Sequence, residues 1–364
     1  MKLKEITQYL ESIAPLSLQE SYDNAGLIIG SQEKEIHKAL ITLDVTPEVM
    51  NEALSLSCDL IIAHHPLIFK GIKKLNGGNM VEDLVIKAIQ NNIALYAIHT
   101  NLDNVFDGVN AMLAKKLGLK NTRILSPMSN QLNKLVVFCP ETHAEIVRNA
   151  LFEAGAGSIG EYSHCSFNAP GDGSFKASEG THPFVGTIGA IHFEKEIRVE
   201  TVVPKVKLSA VLKAMHQVHP YEEIAYDLYP LNNSWDKIGA GMIGELDEET
   251  PVEEFLKNVK KSLKADRIRH SLPIKQKIKK VAICGGSGSF LMHDAYRQGA
   301  QIFVTGDIKY HDFFQYENEM TLVDAGHYET EQFTKSLLFE LLTKKFPTFA
   351  LQISKINTNP ISFL

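Results

Sequence analysis

The chain has 364 residues, of which 44% are hydrophobic and 22% are charged, and its formal net charge is −6. This length allows about two domains that each bury a core, and the composition is typical of a globular protein rather than a disordered or fibrous one. The acidic balance argues against a general nucleic-acid binder, so nucleic acid is not an expected partner. The four cysteines contain no CxxC pair, which favours free thiols in a reducing cytoplasm over a cysteine-ligated zinc site.

The N-terminal segment predicts a helix rather than a targeting signal. Ile6, Tyr9, Leu10 and Ile13 recur at helical spacing, and the segment contains no continuous apolar run. No stretch of the sequence approaches the length that a bilayer-spanning helix needs. We therefore expect a cytoplasmic protein with no membrane partner.

The section before residue 130 predicts alternating strands and helices. Short apolar runs at 39–45 (ALITLDV), 59–65 (DLIIAHH) and 94–99 (ALYAIH) predict buried strands, with a helix between the first two. Because parallel strands need a crossover helix, this order predicts a parallel sheet.

The pattern changes between residues 130 and 231. A strand at 133–140 and a helix precede the predicted turn-rich loop NAPGDGSFKASEGTHP, and a second strand–helix–strand series ends in EEIAYDLYPL. This β-α-β, β-α-β order predicts a ferredoxin-like α+β domain. Within it, HPYEEIAYDLYPL (219–231) mixes carboxylates and tyrosines, which indicates a polar surface across strands.

The section after residue 231 repeats the plan of the first. KVAICGG (280–286), QIFVTGD (301–307) and TLVDAGH (321–327) predict strands that match the first three in order. The predicted fold class is therefore α/β, with two related βαβ-type halves, 1–129 and 232–364, forming one core. The ferredoxin-like domain, 130–231, is inserted between them.

Histidines and carboxylates follow these strands at matching places. The doublet His64–His65 ends one strand, while HTNLD (His99 to Asp103) and HYETE (His327 to Glu331) follow equivalent strands of the two halves. Because ligands gather outside the carboxyl ends of parallel strands, we expect these side chains to converge.

The chemistry of this set predicts two metal ions. Adjacent side chains leave opposite faces of an extended strand, so one ion could not easily bind both members of the doublet. Two divalent cations about 3.5–4 Å apart could each bind one histidine, with a carboxylate or water between them. Imidazoles and carboxylates without thiolates suit zinc, iron, manganese or nickel, and we expect two ions per subunit, of zinc, iron or manganese. The predicted ligands are His64, His65, Asp103, His327 and Glu331.

Structural roles are the alternative for each residue. A single histidine at a strand end is more often a hydrogen-bonded structural residue. Asp103 could be only a helix N-cap, and Glu331 could merely favour a helix start. His99 could orient a ligand; together with Asp307, it is the predicted catalytic proton relay.

The segment CGGSGSF (284–290) predicts a tight strand-to-helix turn. Its backbone amides could bind a phosphate, although it lacks the GK[ST] of a P-loop and the third glycine of GxGxxG. A plain turn is an equal alternative. The predicted substrate-binding residues are Gly285, Gly286, Ser287 and Gly288.

In this order, SYDNAGLIIG, IIAHHPLIF, HTNLD, GGSGSF, VTGDIKYHDF and DAGHYETE resemble the GTP cyclohydrolase I type 2 homologue family, also called the Ngg-interacting-factor-like family. The inserted segment resembles the CutA/PII-like domain of its longer bacterial members. The resemblance implies the same five ligands and a toroidal homohexamer whose metal sites face the interior. One departure is Tyr22, where the family usually has tryptophan.

The expected function is that of a dinuclear-metal-binding hydrolase acting on a nucleotide or similar small molecule. By resemblance, the named reaction is ring opening of GTP or a related nucleotide. The alternative function is a non-catalytic metal-binding, metal-delivery or regulatory ring protein.

Overall fold

The computed structural model describes residues 1–273, 276–316 and 318–364, which form two compact units. The core unit combines Met1–Pro127 with Lys237–Leu364, and the inserted unit is Met128–Asp236. The sequence prediction placed the insert at 130–231.

The described residues contain both helices and strands. The strands are, in chain order, β1 (Gly26–Ile29), β2 (Lys38–Thr42), β3 (Leu60–Ala63), β4 (Ala94–Ala97), β5 (Lys120–Met128), β6 (Leu132–Pro140), β7 (Ser166–Lys176), β8 (Ile191–Pro204), β9 (Tyr226–Leu231), β10 (Trp235–Pro251), β11 (Arg269–His270), β12 (Lys277–Ser287), β13 (Ile302–Gly306), β14 (Thr321–Asp324) and β15 (Ala350–Ile353). The α-helices are α1 (Leu3–Ile13), α2 (Pro47–Ser55), α3 (Met80–Gln90), α4 (Thr100–Asp103), α5 (Val109–Leu117), α6 (Ala144–Glu153), α7 (Leu208–Val218), α8 (Val252–Ser262), α9 (Met292–Arg297), α10 (His327–Glu331) and α11 (Thr334–Lys345). Within the described ranges, none of these helices has the length and apolar character needed to cross a membrane.

The core unit contains two sheets with the same internal plan. Their strand orders are β1-β4-β3-β2-β15 and β11-β14-β13-β12-β10-β5. The parallel series β2, β3, β4 corresponds to β12, β13, β14, and an antiparallel strand, β1 or β11, pairs with the last member of each. The predicted relation between the two halves is therefore confirmed. Each sheet also takes an edge strand from the other half of the core unit, since β15 pairs with β2 and β5 lies beside β10.

The central strands of the second sheet are buried on both faces. Val281 and Ile283 of β12 pack in one hydrophobic cluster with Phe255 of α8, while Ala282 packs in another with Met292 of α9. Because neither face meets water, the strand has a continuous apolar run rather than an alternating pattern. This two-sided burial is why the run could be recognised in the sequence.

The inserted unit has a ferredoxin-like topology. Its elements follow the order β6-α6-β7-β8-α7-β9, and its antiparallel sheet has the order β7-β8-β6-β9. Val147 of α6 and Val211 of α7 pack with Leu135 and Val199 of the sheet in one buried cluster. The α+β prediction is confirmed, and the closer likeness to CutA and PII proteins stays a prediction.

The prediction of a loop from residue 168 to 183 was wrong for residues 168–176, which belong to β7, and is confirmed for residues 177–183, which lie between β7 and β8. Pro170 pairs with Ile197 of β8, and β7 is an edge strand with β8 as its neighbour. Proline has no backbone N–H to donate to a neighbouring strand. An edge strand has a neighbour on one side only, so a residue there can lack this donor without breaking a hydrogen bond between strands. Proline and glycine therefore indicated a loop where an edge strand forms.

Candidate metal centre

The histidine doublet lies just beyond β3, where the chain leaves the extended conformation. The two rings are neighbours, with centroids 4.9 Å apart, so the expectation that they point in opposite directions was wrong. The Nδ1–H of His64 donates to the carbonyl of Ile98 at 2.8 Å, and the Nδ1–H of His65 donates to Asp44 at 2.7 Å. These bonds hold both rings with their Nε2 atoms directed towards Glu331, where Nε2 of His65 contacts Oε2 at 2.9 Å and Nε2 of His64 lies 3.9 Å from it.

His99 and Asp103 are placed by the short helix α4 after β4. Asp23 accepts the Nδ1–H of His99 at 2.7 Å and the backbone N–H of Thr100 at 3.1 Å. Asp103 follows His99 by four residues, which is about one helical turn. Its Oδ1 atom is buried and has no hydrogen-bond partner in the described part of the chain.

His327 and Glu331 repeat this arrangement on α10 after β14. The Nδ1–H of His327 donates to Asp307 at 2.7 Å, and Glu331 lies one turn later. Asp307 has a φ of +56°, a conformation that aspartate tolerates better than most residues. The predicted proton-relay residue Asp307 therefore orients a predicted ligand.

The five predicted ligands come together around the carboxylate of Glu331. Its Oε2 lies 2.9 Å from Nε2 of His65, 3.1 Å from Nε2 of His327 and 3.9 Å from Nε2 of His64. Among the described residues, three overlapping groups have ligand atoms within 4.8 Å of one another: His64, His65 and His99; His65, His327 and Glu331; and His64, Asp103 and Glu331. His99 thus lies as close to the doublet as a ligand would.

The charge of Glu331 is balanced by the imidazoles around it. Burial would raise its pKa, but hydrogen bonds from the surrounding histidines hold that pKa well below the ordinary value. Burial would lower the pKa of His65, but Asp44 and Glu331 outweigh it and raise that pKa to about 10. For His327, Glu331 and Asp307 likewise outweigh burial and raise the pKa to about 9. Divalent cations would displace such protons on binding.

Two buried atoms without hydrogen-bond partners indicate whether the site could bind a cation. Nε2 of His64 and Oδ1 of Asp103 are 3.7 Å apart, too far for a hydrogen bond, and neither has another partner in the described part of the chain. Burial lowers the pKa of His64 and so favours the neutral ring. Because Nδ1 donates its hydrogen to the carbonyl of Ile98, the lone pair of that neutral ring lies on Nε2. Burial and then the charge of Glu331 raise the pKa of Asp103. An unpartnered buried acceptor costs about 1–3 kcal/mol, and a cation between these two would satisfy both. The donor set fits a divalent metal ion.

Comparison with known proteins identifies the family of the chain. A family model described as Duf34/NIF3 (NGG1p interacting factor 3) matches residues 1–360. The chain belongs to this family. The resemblance predicted from the sequence motifs is therefore confirmed.

Individual relatives of this DUF34/NIF3 chain match it over almost their whole length. It is 42% identical to a protein of Halalkalibacterium halodurans and 40% identical to one of Bacillus subtilis, covering 99% of this chain and 98% of each relative. Both are called GTP cyclohydrolase 1 type 2 homolog. The crystal structure of a Bacillus cereus protein related to NIF3 is 40% identical and has a TM-score of 0.88, covering 100% of this chain and 99% of that chain.

The glycine-rich turn of this DUF34/NIF3 protein uses its amides internally. The N–H of Gly285 donates to Asn110, that of Gly286 to Thr330, and that of Gly288 to Thr305. These bonds disfavour the predicted phosphate cradle. Gly285 and Ser287 instead line a cavity beside the metal-ligand candidates.

Gly286 is required by the close approach of Glu331. Its φ is +61°, and a Cβ on this residue would lie 2.2 Å from Oε1 of Glu331. The turn therefore leaves space for the central carboxylate, a role that the GGSG pattern alone did not indicate.

Three orienting residues were not predicted as part of the site. Asp44 and Asp23 accept from His65 and His99, and Thr358 donates its hydroxyl to Asp44. A signal for Asp44 existed, because it follows β2, the sheet neighbour of the strand that carries the doublet. Asp23 lies in the SYDNAGLIIG motif, which pointed to the family but not to a role in the site, and Thr358 gave no local signal.

A cavity of about 370 Å³ opens onto the centre. His65, His99 and Asp103 are among its lining residues, and three exposed aromatic side chains, Tyr22, Phe69 and Phe290, also line it. The rings of Tyr22 and Phe69 lie 6.1 Å apart. The site therefore joins a polar centre to aromatic walls.

Proposed function

We propose that the chain is a metal-dependent hydrolase that acts on a nucleotide or a similar small molecule. The buried, unpartnered pair of His64 Nε2 and Asp103 Oδ1 beside an open cavity is the observation that carries this proposal. Two divalent ions of zinc, iron or manganese would be held by His64, His65, Asp103, His327 and Glu331. When bound, such ions would supply Lewis-acid chemistry, polarising a C–N, C–O or phosphoryl centre and lowering the pKa of a water molecule.

The residues of the chain would hold the ions and handle protons. Asp44 and Asp307 would keep the rings of His65 and His327 in a binding orientation through their Nδ1 atoms. His99 lines the cavity, and its Nδ1–H is held by Asp23, so its Nε2 would be the atom that accepts a proton from the reacting group.

Aromatic side chains support a planar substrate. Tyr22, Phe69 and Phe290 line the cavity and are exposed, so a heterocyclic base could stack on them. The Halalkalibacterium halodurans and Bacillus subtilis relatives are called GTP cyclohydrolase 1 type 2 homolog, which makes ring opening of GTP the first reaction to test.

One observation favours the alternative of a non-catalytic metal-binding, metal-delivery or regulatory ring protein. Asp307 is engaged with a predicted ligand, and the amides of Gly285, Gly286 and Gly288 are engaged within the protein. These groups would then serve only to build a metal site. The homohexameric ring and the cytoplasmic location belong to the proposal in either form, and analytical ultracentrifugation tests the first.

The experiment combines metal analysis with turnover. Protein purified without added metal is reloaded with zinc, iron or manganese, analysed for bound metal, and assayed on GTP, other nucleotides and phosphoesters. His64→Ala removes a predicted ligand. His37→Ala is the matched control, because its side chain is 78% exposed and its ion-pair partner is Asp59, outside the site.

We expect about two ions per chain in the wild type and in His37→Ala, with less metal and no turnover in folded His64→Ala. Metal binding without turnover on any substrate would support the carrier function instead. A wild-type protein that binds none of the three metals would contradict both functions.

A further inference from the structure

A second cavity, of about 380 Å³, lies within the inserted unit. It is lined by parts of β7 and β8, by the loop 177–190 that joins them, and by residues 221–223 of the HPYEE segment after α7. The sequence pattern indicated only a polar surface for this segment. Its volume is in the range of small-molecule sites.

Three aromatic rings form one wall of this cavity. Tyr221 lies 6.3 Å from Phe175 and 6.2 Å from Phe184, and all three residues line the cavity. His219 supports Tyr221 by two contacts. Their rings are 5.1 Å apart, and Nδ1 of His219 accepts the backbone N–H of Tyr221. The His219 Nε2–H donates to the carbonyl of Phe138 at 3.0 Å, so the supporting ring is itself fixed.

A carboxylate faces the same space. Oε1 of Glu196 accepts the hydroxyl of Tyr221 at 2.9 Å, while Oε2 has no donor in the described part of the chain. A Cβ on Gly173, which also lines the cavity, would lie 2.1 Å from Oε2, so the absence of a side chain there makes room for the carboxylate. Burial and the charge of Glu196 raise the pKa of Tyr221, so the phenol remains the donor in this bond.

The charges around the cavity select the class of ligand. Glu196, Glu222 and Glu223 line it, against one cationic side chain, Lys176, among the described lining residues. An anion would be repelled by this excess of negative charge. A neutral apolar ligand would remove water from Glu196 without replacing its hydrogen bonds, which is unfavourable. A cation would satisfy the carboxylate and also gain from the faces of the aromatic rings.

We propose that this cavity binds a small organic cation, an ammonium group on an aromatic or aliphatic body, with the ammonium between Glu196 and the rings of Tyr221 and Phe184. This site is separate from the proposed metal chemistry. Its ligand is a free amine, because a cavity of about 380 Å³ encloses a molecule of metabolite size.

The first experiment compares three probes with one phenyl body and different charge. Binding of 2-phenylethylammonium, 2-phenylethanol and 3-phenylpropionate to the full chain is measured by isothermal titration calorimetry. We expect the cation to bind at least about tenfold more tightly than either analogue, since a desolvated ion pair with an aromatic contact contributes at least that ratio. Equal affinity for the three probes, or no binding of the cation, would overturn the proposal.

Variants then locate the binding. Glu196→Gln keeps the shape of the side chain and should weaken cation binding about tenfold, while Phe184→Leu should weaken it several-fold. Phe184 is 50% exposed, so this second change should leave the fold intact if Glu196→Gln does not.

The control is Glu194→Gln, which removes the same charge two residues away on β8, where the carboxylate contacts His192 at 2.9 Å. Its affinity should stay within about twofold of wild type, because its carboxylate does not line the cavity. Equal weakening in Glu194→Gln and Glu196→Gln would reduce the effect to net charge and refute the assigned site.

Discussion

Gly286→Ala should weaken metal binding far more than it weakens the fold. The new Cβ would lie 2.2 Å from Oε1 of Glu331 and 3.1 Å from its Cδ. To reach an ordinary contact of 3.4 Å, the carboxylate oxygen must retreat by about 1.2 Å. A shift of this size in Oε1 also moves Oε2 of the same carboxylate, which now lies 2.9 Å from Nε2 of His65 and 3.1 Å from Nε2 of His327.

Gly286→Ala should have two separate effects, one on the stability of the fold and one on metal affinity. The φ of +61° at Gly286 costs an alanine about 1–2 kcal/mol wherever it occurs. Displacing one carboxylate from a metal site typically lowers affinity by about 10–100-fold, by analogy with losses at residues that only orient ligands. This loss of affinity should appear only in measurements of metal binding.

Gly299→Ala is the matched control. Gly299 has a φ of +74°, and an added Cβ would meet no atom within 4 Å, so this variant carries the backbone strain without the clash. Zinc affinity is measured by competition with a chromogenic chelator, and the free energy of unfolding by urea titration in the presence of EDTA.

We expect both variants to lose a similar free energy of unfolding, to within about 1–2 kcal/mol, and only Gly286→Ala to lose zinc affinity by tenfold or more. Identical zinc affinities for the two variants would refute the reasoning, because the central carboxylate would then not be a ligand.

Three further predictions concern acid stability, thiol reactivity and the core. Hydrogen bonds from His99 and Thr100 outweigh burial and lower the pKa of Asp23 from 3.8 to about 2. The stability that Asp23 contributes is therefore present above about pH 4 and lost as the pH falls towards 2. Urea unfolding between pH 2 and 6 should show a gap between wild type and Asp23→Asn that closes at acid pH; a constant gap would contradict this. Titration with a thiol reagent should modify only Cys165 in the native protein, because the other three cysteines are buried, and modification of a second thiol at the same rate would count against the structure. Phe255→Ala should cost about 3–5 kcal/mol of unfolding free energy, since the ring is 1% exposed, and a loss below 1 kcal/mol would place this residue outside the core.

The parts of the fold that the sequence predicted are those with strong local patterns. The strands β2 to β4 and β12 to β14 contain short apolar runs because consecutive residues, which face opposite sides of the sheet, are buried. The HTNLD and HYETE segments each place a histidine and a carboxylate one helical turn apart, so their spacing already carried the geometry.

What the sequence did not predict depends on contacts between distant segments. The bond between Asp44 and His65 exists because β2 and β3 are neighbours, and the bond of Thr358 to Asp44 joins positions near opposite ends of the chain. The orientation of the histidine doublet also depended on where β3 ends, at Ala63, one residue before the pair. Strand ends are set by tertiary packing, so the residue pattern could not locate that boundary.

The exchange of edge strands has a consequence for synthesis on the ribosome. Residues 38–42 cannot obtain their outer neighbour until residues 350–353 have been translated, and residues 120–128 must wait for 235–251. The insert, whose own sheet is contiguous in the chain, can complete its folding while its surroundings are still unfinished. A nascent chain stalled before residue 350 should therefore protect the insert from protease while the N-terminal section remains open to cleavage.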